Sequence, residues 1–332
     1  MKALLLSAPR ELHLTDLPRP PLEAGQVRVR VRKVGVCGSD YSSIAGKLPF
    51  TRFPIVVGHE ASGEVLESAA GGWRPGERVL LHPILCRRDD EAFARGEVHH
   101  SDSTEVLGVV SRNGAYAEEV VVEDYMLRRM PDGMDFETAA MVEPVAVAVR
   151  AFQLGCPRGR DRVLVFGAGN IGLILIQVAR ALGAARVVVT DLVPERLELA
   201  RSLGVDEAID VREGYPALRL EKQFDMVIDG VATNDTVNRA LAACVRGGRI
   251  VVYGVPAGDI HYPLKAAFSK DVTLATSRLY GADFDPAIRL AAEGKLKLAA
   301  LITHRVRLEE APALVLDLID GKQRAVKVMI ST

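Results

Sequence analysis

The first third of the chain alternates apolar and polar residues in the manner of a half-buried β-sheet. The clearest case is a run of six residues made of two interleaved sets, Val27, Val29, Val31 and Arg28, Arg30, Arg32. A strand with this period places its valines on one face and its arginines on the other. Stretches rich in proline and glycine, at 18–25 and 71–79, separate it from its neighbours. The pattern predicts an antiparallel or barrel-like unit.

From about residue 147 the pattern changes to strand, turn and helix. Apolar runs such as Arg162–Phe166 and Arg186–Asp191 alternate with helical segments of about ten residues. This alternation predicts a doubly wound α/β unit, with a parallel sheet covered on both faces. Beyond residue 276 the chain has a short helical stretch and ends in a strand candidate, 325–332. That tail is too small to fold alone, so we expect it to return to the first unit.

Length and composition agree with two soluble domains. The 332 residues include 48% hydrophobic and 26% charged residues, and the net charge is -1. Since a polyanionic partner requires clustered lysine and arginine, we expect a small-molecule partner, with no nucleic acid and no membrane. No apolar run approaches the roughly 18 residues of a membrane span. The apolar stretch at the start is too short for a signal peptide, so we expect a cytoplasmic protein.

The four cysteines are far apart: Cys37, Cys86, Cys156 and Cys244. Thiols stay reduced in the cytoplasm, so single reactive or metal-binding roles are favoured over disulfides.

A glycine-rich turn follows the strand candidate Arg162–Phe166 and opens a helix. Gly167 permits the tight turn, Gly169 lets the backbone approach a pyrophosphate, and Gly172 lets the helix pack against the sheet. Asp191 ends the second strand, where a carboxylate can bind both ribose hydroxyls. Leu192 follows instead of a basic residue, which favours NAD over NADP. The candidate cofactor-binding residues are Gly167, Gly169, Asn170, Ile171, Gly172, Asp191 and Arg196.

Residues of metal-binding type occur in three other stretches, at Cys37, at His59 and Glu60, and at Glu143. Singly, each has an ordinary structural interpretation: a buried thiol, a hydrogen-bonded turn histidine or a helix-start carboxylate. Together they supply cysteine, histidine and carboxylate, which is the coordination set of a catalytic zinc with one open position.

Four motifs now carry a family resemblance: CGSD at 37–40, GHEASGEV at 58–65, EPVAVAV at 143–149 and GAGNIG at 167–172. In order and spacing the chain resembles the zinc-containing medium-chain alcohol and polyol dehydrogenases, particularly the sorbitol and threonine dehydrogenase branch. The resemblance covers essentially the whole chain. It implies a GroES-like catalytic domain, residues 1–146 and 277–332, and an inserted NAD-binding Rossmann domain, residues 147–276. It also implies hydride transfer from a secondary alcohol or polyol to NAD, one catalytic Zn2+ per chain, and a homodimer or homotetramer.

The resemblance assigns roles to residues of the first domain. Cys37 and His59 would bind zinc, and either Glu60 or Glu143 would supply the carboxylate. Ser39 would take the alcohol proton and pass it to the cofactor ribose.

Asp40 would orient the zinc-binding histidine. Two positions depart from the family pattern: Ser42 stands where a histidine often ends the proton relay, and Arg150 stands where relatives often have histidine.

The polar run 81–105 is the other departure. The family has four cysteines there that bind a structural zinc, whereas this chain has Cys86, Asp89, Ala92 and His100. A closed structural site needs four ligands, mostly thiolate. We therefore predict a solvated loop without zinc in preference to an improvised site of Cys86, Asp89 and His99 or His100.

The sequence leaves two alternative functions open: a zinc-free quinone or enone reductase of the same superfamily, and a dinucleotide-binding sensor without turnover.

Overall fold

The computed structural model describes residues 1–215 and 220–332. They form two compact units. The first consists of residues 1–143 and 298–332, and the second of residues 144–297.

In chain order, the strands are β1 (Lys2–Leu6), β2 (Leu12–Asp16), β3 (Gln26–Gly35), β4 (Ile55–Val56), β5 (Glu60–Ser68), β6 (Arg78–Leu81), β7 (Ile84–Leu85), β8 (Glu105–Val106), β9 (Glu119–Glu123), β10 (Leu127–Arg129), β11 (Arg162–Phe166), β12 (Arg186–Asp191), β13 (Glu207–Asp210), β14 (Phe224–Asp229), β15 (Cys244–Val252), β16 (Thr273–Thr276), β17 (Ile302–Arg307) and β18 (Lys327–Ser331). The helices are α1 (Gly38–Ile44), α2 (Glu91–Ala94), α3 (Phe136–Ala140), α4 (Val142–Leu154), α5 (Asn170–Ala181), α6 (Pro194–Ser202), α7 (Asn234–Ala243), α8 (Leu264–Lys270), α9 (Phe284–Ala292) and α10 (Ala311–Ile319). Short 3-10 helices occupy Val98–His100, Asp124–Met126 and Leu298–Leu301.

The first unit is built on a sheet of seven strands in the order β10-β6-β5-β3-β18-β17, with β9 also paired to β3. Most neighbours are antiparallel, which confirms the prediction from the alternating pattern. The predicted final strand is also confirmed, because β18 pairs with β3 and places Ile330 opposite Val34. A smaller sheet has the order β2-β1-β4.

In strand β3, the alternating pattern predicts the burial of the valines but not the burial of Arg28. Val27, Val29 and Val31 are buried, as predicted. Arg28, however, is also buried, because its guanidinium donates to the Pro20 carbonyl oxygen at 2.9 Å. A charged side chain on the polar face of a strand can thus be covered when a neighbouring loop supplies a hydrogen-bond acceptor.

The second unit contains a parallel sheet of six strands in the order β13-β12-β11-β14-β15-β16. This order, with described helices after β11, β12, β14 and β15, confirms the doubly wound prediction. Its core includes Leu164, Val188, Val227 and Ile250, all fully buried. The central strands are apolar along their length because helices cover the sheet faces. None of the helices in the described ranges is long and apolar enough to cross a membrane.

Candidate metal centre and dinucleotide-binding turn

Three residues of metal-binding type converge in the first unit. Cys37 is the N-cap of α1, directly after β3, while His59 and Glu60 stand at the start of β5. Gly35 of β3 pairs with Glu60 of β5, which brings the two segments together. One ligand atom from each of Cys37, His59 and Glu60 lies within 4.8 Å of the others. The structure therefore assembles three of the four predicted ligand candidates.

Asp40 lies between the two segments. Its Oδ2 atom accepts a hydrogen bond from the Cys37 backbone N–H at 2.9 Å, which caps α1. Its Oδ1 atom is 3.5 Å from Nδ1 of His59. Neither of these two atoms has another hydrogen-bond partner among the described residues. The carboxylate is therefore placed to orient the imidazole, as the resemblance implies.

The charges around His59 favour a cation at this position. Burial alone would lower the pKa of His59, but the Asp40 carboxylate and Cys37 raise it well above the usual value. Burial would likewise raise the pKa of Asp40, but His59 and the hydrogen bonds it accepts lower it. An ionised carboxylate next to an imidazole and a thiol is an environment that stabilises bound positive charge.

Glu60 has a second partner that the sequence analysis missed. Lys327 of β18 is 2% exposed, and its Nζ atom donates to both carboxylate oxygens of Glu60, at 2.8 and 2.5 Å. Nζ also donates to the Val36 carbonyl oxygen at 3.0 Å. Gly35 makes room for the Glu60 carboxylate, because a Cβ atom there would lie 2.2 Å from its Oε2. A lysine inside an otherwise apolar strand, AVKVMI, was the available signal.

Tyr116 is the other missed contact. It is fully buried, and its hydroxyl donates to Oδ2 of Asp40 at 2.8 Å. Burial raises the pKa of Tyr116 well above its usual value and the charge of Asp40 raises it further, so the hydroxyl remains a donor. Nothing in the sequence around Tyr116 indicates this contact.

The remaining predicted residues of this region do not contribute atoms to the three-residue cluster. Glu143, near the start of α4, is 7% exposed and is not among the clustered ligand atoms. Ser39 occupies the first turn of α1 and is half-buried. The Ser42 hydroxyl donates to the Gly38 carbonyl oxygen at 3.1 Å, one helical turn earlier.

In the second unit, the predicted glycine-rich turn joins β11 to α5. Gly167 has a φ of +94°, a conformation that favours glycine. A Cβ atom on Gly172 would lie 1.9 Å from the Gly167 carbonyl oxygen, so only glycine fits. At Gly169, the N-cap of α5, a Cβ atom would meet nothing within 4 Å. Open space beside the N–H groups that begin a helix is the arrangement that receives a pyrophosphate.

Asp191 ends β12 and is tied to this turn. Its carboxylate accepts hydrogen bonds from the Ala168 N–H at 2.7 Å and the Val193 N–H at 2.8 Å. Arg196 on α6 is close, with its Nη1 atom 3.8 Å from Oδ2 of Asp191. The geometry thus groups Asp191 and Arg196 beside the turn. Arg150, by contrast, faces Asp283 within the same unit, at 4.0 Å.

The polar loop 81–105 is held by hydrogen bonds and ion pairs. Asp90 caps α2 and accepts hydrogen bonds from the Ala92 N–H at 2.8 Å and the Ser101 hydroxyl at 2.5 Å. The Ser103 hydroxyl is 3.9 Å from the Cys86 sulfur. Surface ion pairs join Arg87 to Asp89 and Arg95 to Glu91. Among the described residues, only the Cys37 cluster brings three potential ligands together.

The two candidate sites fit the groups that their residues suggest. Cysteine sulfur, histidine nitrogen and carboxylate oxygen form a zinc-type donor set, and the His59 Nδ1 atom lies 3.5 Å from Oδ1 of Asp40. The turn is open at Gly169, at the N-terminus of α5, where the pyrophosphate of a dinucleotide would approach.

Two family models match the chain. Residues 23–132 match the alcohol dehydrogenase GroES-like domain, and residues 170–293 match the zinc-binding dehydrogenase family. The human (Homo sapiens) sorbitol dehydrogenase is 30% identical over 323 residues, covering 93% of this chain and 90% of the relative. The starvation-sensing protein RspB of Escherichia coli K12 is 32% identical, covering 92% of this chain and 91% of the relative.

Among solved structures, an alcohol dehydrogenase (rspB) from E. coli CFT073, in complex with NADH, superimposes with a TM-score of 0.94. It is 28% identical and covers 100% of this chain and 99% of its own.

Proposed function

Because the chain belongs to the zinc-containing medium-chain alcohol and polyol dehydrogenases, we propose that it transfers hydride from a secondary alcohol or polyol to NAD, with one catalytic zinc per chain. The observation that carries this proposal is the cluster of Cys37, His59 and Glu60, whose ligand atoms lie within 4.8 Å of one another. Three protein ligands and one open position are typical of a catalytic zinc, whereas structural sites are closed by four.

The ligand roles follow from the contacts. Cys37 and His59 would hold the metal together with a carboxylate, and Glu60 is favoured over Glu143 because its oxygen is in the cluster. Zinc supplies a Lewis acid that lowers the pKa of a bound hydroxyl group. Asp40 faces Nδ1 of His59, which leaves Nε2 as the metal-binding nitrogen.

The proton of the alcohol needs a base within the site, because a neutral alcohol does not expel hydride. Ser39 lies two residues after Cys37 in the first turn of α1, and we assign it the acceptance of this proton. Ser42 is engaged with the Gly38 carbonyl oxygen at 3.1 Å, so a water molecule or another residue completes the path.

NAD is the proposed cofactor, since Asp191 presents a carboxylate next to the glycine-rich turn and the following residue, Leu192, is apolar and exposed. A carboxylate accepts hydrogen bonds from the ribose hydroxyls and repels a 2′-phosphate.

The wild-type protein provides the test of the proposed function. We expect about one zinc per chain by metal analysis, loss of activity on chelation, and recovery when zinc is added back. Activity is measured as NADH formation with polyols, amino alcohols, aldonates and sugar phosphates. Light scattering of the same preparation tests the predicted homodimer or homotetramer.

A matched variant, Cys86→Ala, separates the two possible zinc sites. It should keep the zinc content of the wild type, because the polar loop is held by Asp90, Ser101 and the surface ion pairs. Two zinc ions per chain, one lost in this variant, would refute the prediction of a metal-free loop. Full activity without zinc would instead favour the zinc-free reductase, and NAD binding without turnover on any alcohol would favour the sensor.

Asp191→Ala should lower the preference for NAD over NADP. The substitution removes hydrogen bonds to a charged acceptor, each worth about 1.5–3 kcal/mol, and removes the repulsion of a 2′-phosphate. We expect the ratio of kcat/KM for NAD to that for NADP to fall about 10- to 100-fold. The charge-matched control is Glu198→Ala on α6, an exposed residue that should leave the ratio unchanged. An unchanged ratio in Asp191→Ala would contradict the assigned role.

A further inference from the structure

Tyr116 lies in the segment 114–117, whose backbone is fixed against the residues that precede His59. The Gly114 N–H donates to the Val56 carbonyl oxygen at 2.6 Å, and the Tyr116 N–H donates to that of Val57 at 3.0 Å. On its other side, the Tyr116 carbonyl oxygen accepts from the Leu4 N–H at 2.8 Å. The backbone of Tyr116 is therefore held on both sides.

The ring of Tyr116 rests on Gly58, the residue before His59. A Cβ atom on Gly58 would lie 2.2 Å from Cδ1 of Tyr116, and Gly58 has a φ of +95°. Glycine at this position thus serves two purposes: it takes a backbone conformation that other residues avoid, and it admits the ring. The ring in turn is fully buried, so its hydroxyl has a fixed direction.

The Tyr116 hydroxyl points to the carboxylate of Asp40. Oδ2 of Asp40 receives both the Tyr116 hydroxyl at 2.8 Å and the Cys37 N–H at 2.9 Å, and Oδ1 is left for Nδ1 of His59. Two donors on one oxygen fix the rotation of the carboxylate. We infer that Tyr116 is a positioning residue of the metal centre, which acts through Asp40 to hold His59 and the Cys37 segment in the arrangement that binds the metal. This inference rests on the proposed function.

The alternative is that the hydroxyl only satisfies a buried carboxylate and contributes to stability. The two roles differ in what they change. A purely stabilising bond affects unfolding, whereas a positioning bond affects metal affinity and the geometry of the metal site in the folded protein.

The test compares Tyr116→Phe, which keeps the ring on Gly58 and removes only the hydroxyl, with Tyr125→Phe. Tyr125 is the matched control because its hydroxyl is also hydrogen-bonded in the first unit, to the backbone of Cys86 at 3.1 and 2.9 Å. Zinc affinity is measured by competition with a chelator, and site geometry by the visible absorption of the cobalt-substituted protein. We expect zinc affinity to fall about tenfold and the cobalt bands to shift in Tyr116→Phe, with neither change in Tyr125→Phe.

A double variant tests whether Tyr116 acts through Asp40. In an Asp40→Asn background, adding Tyr116→Phe should cost much less zinc affinity than it does in the wild type. Wild-type zinc affinity and cobalt spectrum in Tyr116→Phe would overturn the inference and leave the proposed function standing. Loss of folding in Tyr116→Phe would also overturn it, since the hydroxyl would then serve the whole unit. A wild-type protein that binds no zinc would overturn both.

Discussion

His59→Ala is expected to lose its zinc and at least about a thousandfold in kcat/KM, because Lewis-acid activation is worth several kcal/mol and each 1.36 kcal/mol is a factor of ten. The substitution removes the only nitrogen atom of the proposed ligand set and leaves Cys37 and Glu60. It also leaves Asp40 facing a cavity in place of Nδ1. Metal analysis and NADH formation on the best substrate of the wild type measure both effects.

The glycine-rich turn belongs to the second compact unit, so His59→Ala should still bind NADH with the affinity of the wild type, measured by NADH fluorescence. That result separates loss of metal from loss of fold. His100→Ala is the matched control, since its side chain is 54% exposed and lies in the polar loop, and it should keep both zinc and activity. One zinc per chain retained in His59→Ala would remove this residue from the ligand set.

Much of the fold could be predicted from local patterns. The period of two in β3, the strand-turn-helix rhythm after residue 147 and the glycine-rich turn each depend on residues close in the sequence. The alternating pattern failed at Arg28, because the loop that precedes β3 covers this side chain through the Pro20 carbonyl oxygen. The path of that loop is not reported by the periodicity of the strand.

The candidate site also contains both residues that local motifs predict and residues that they do not. Motifs and family resemblance indicated Cys37, His59, Glu60 and Asp40, and the structure brings these four together. Their roles as ligands and positioning groups stay proposals. Lys327 and Tyr116 escaped prediction because their partners are 267 and 76 residues away in the chain, and no local motif marks such a pairing.

In the polar loop, composition and spacing lead to opposite predictions about a metal site. It holds more potential ligands than any stretch of similar length, yet its carboxylates accept hydrogen bonds from N–H groups, hydroxyls and guanidiniums. Spacing predicted a loop without metal, since three of the four cysteine positions of the family are replaced. The zinc content of Cys86→Ala tests that prediction directly.

Lys327→Met is expected to lower the free energy of unfolding of the metal-free protein by about 3–5 kcal/mol. Lys327 and Glu60 are 2% and 1% exposed, and both oxygens of Glu60 accept hydrogen bonds from Nζ. Burial would lower the pKa of Lys327, but Glu60 raises it, so the lysine is charged. Methionine has a similar shape without charge, and the buried Glu60 carboxylate would be left uncompensated. Urea unfolding in the presence of a chelator measures the loss.

Two controls define the cause of that loss. The double variant Lys327→Met with Glu60→Gln removes both charges and should recover most of the stability, because a neutral pair carries no uncompensated buried charge. Lys322→Met removes an exposed lysine from its ion pair with Asp317 and should change the free energy of unfolding by about 1 kcal/mol or less. Equal stability of Lys327→Met and wild type would show that the pair contributes nothing to the folded state.

The stability of Lys327→Met with and without zinc also distinguishes Glu60 from Glu143 as the carboxylate ligand. If Glu60 binds the metal, zinc supplies the positive charge that Lys327→Met removes, so adding zinc should return most of the lost stability to this variant. If Glu143 is the ligand, Glu60 remains uncompensated and the difference from wild type persists at saturating zinc. The difference in urea midpoint between Lys327→Met and wild type, with and without zinc, therefore decides between the two glutamates. The presence of Glu60 in the Cys37 cluster leads us to expect recovery.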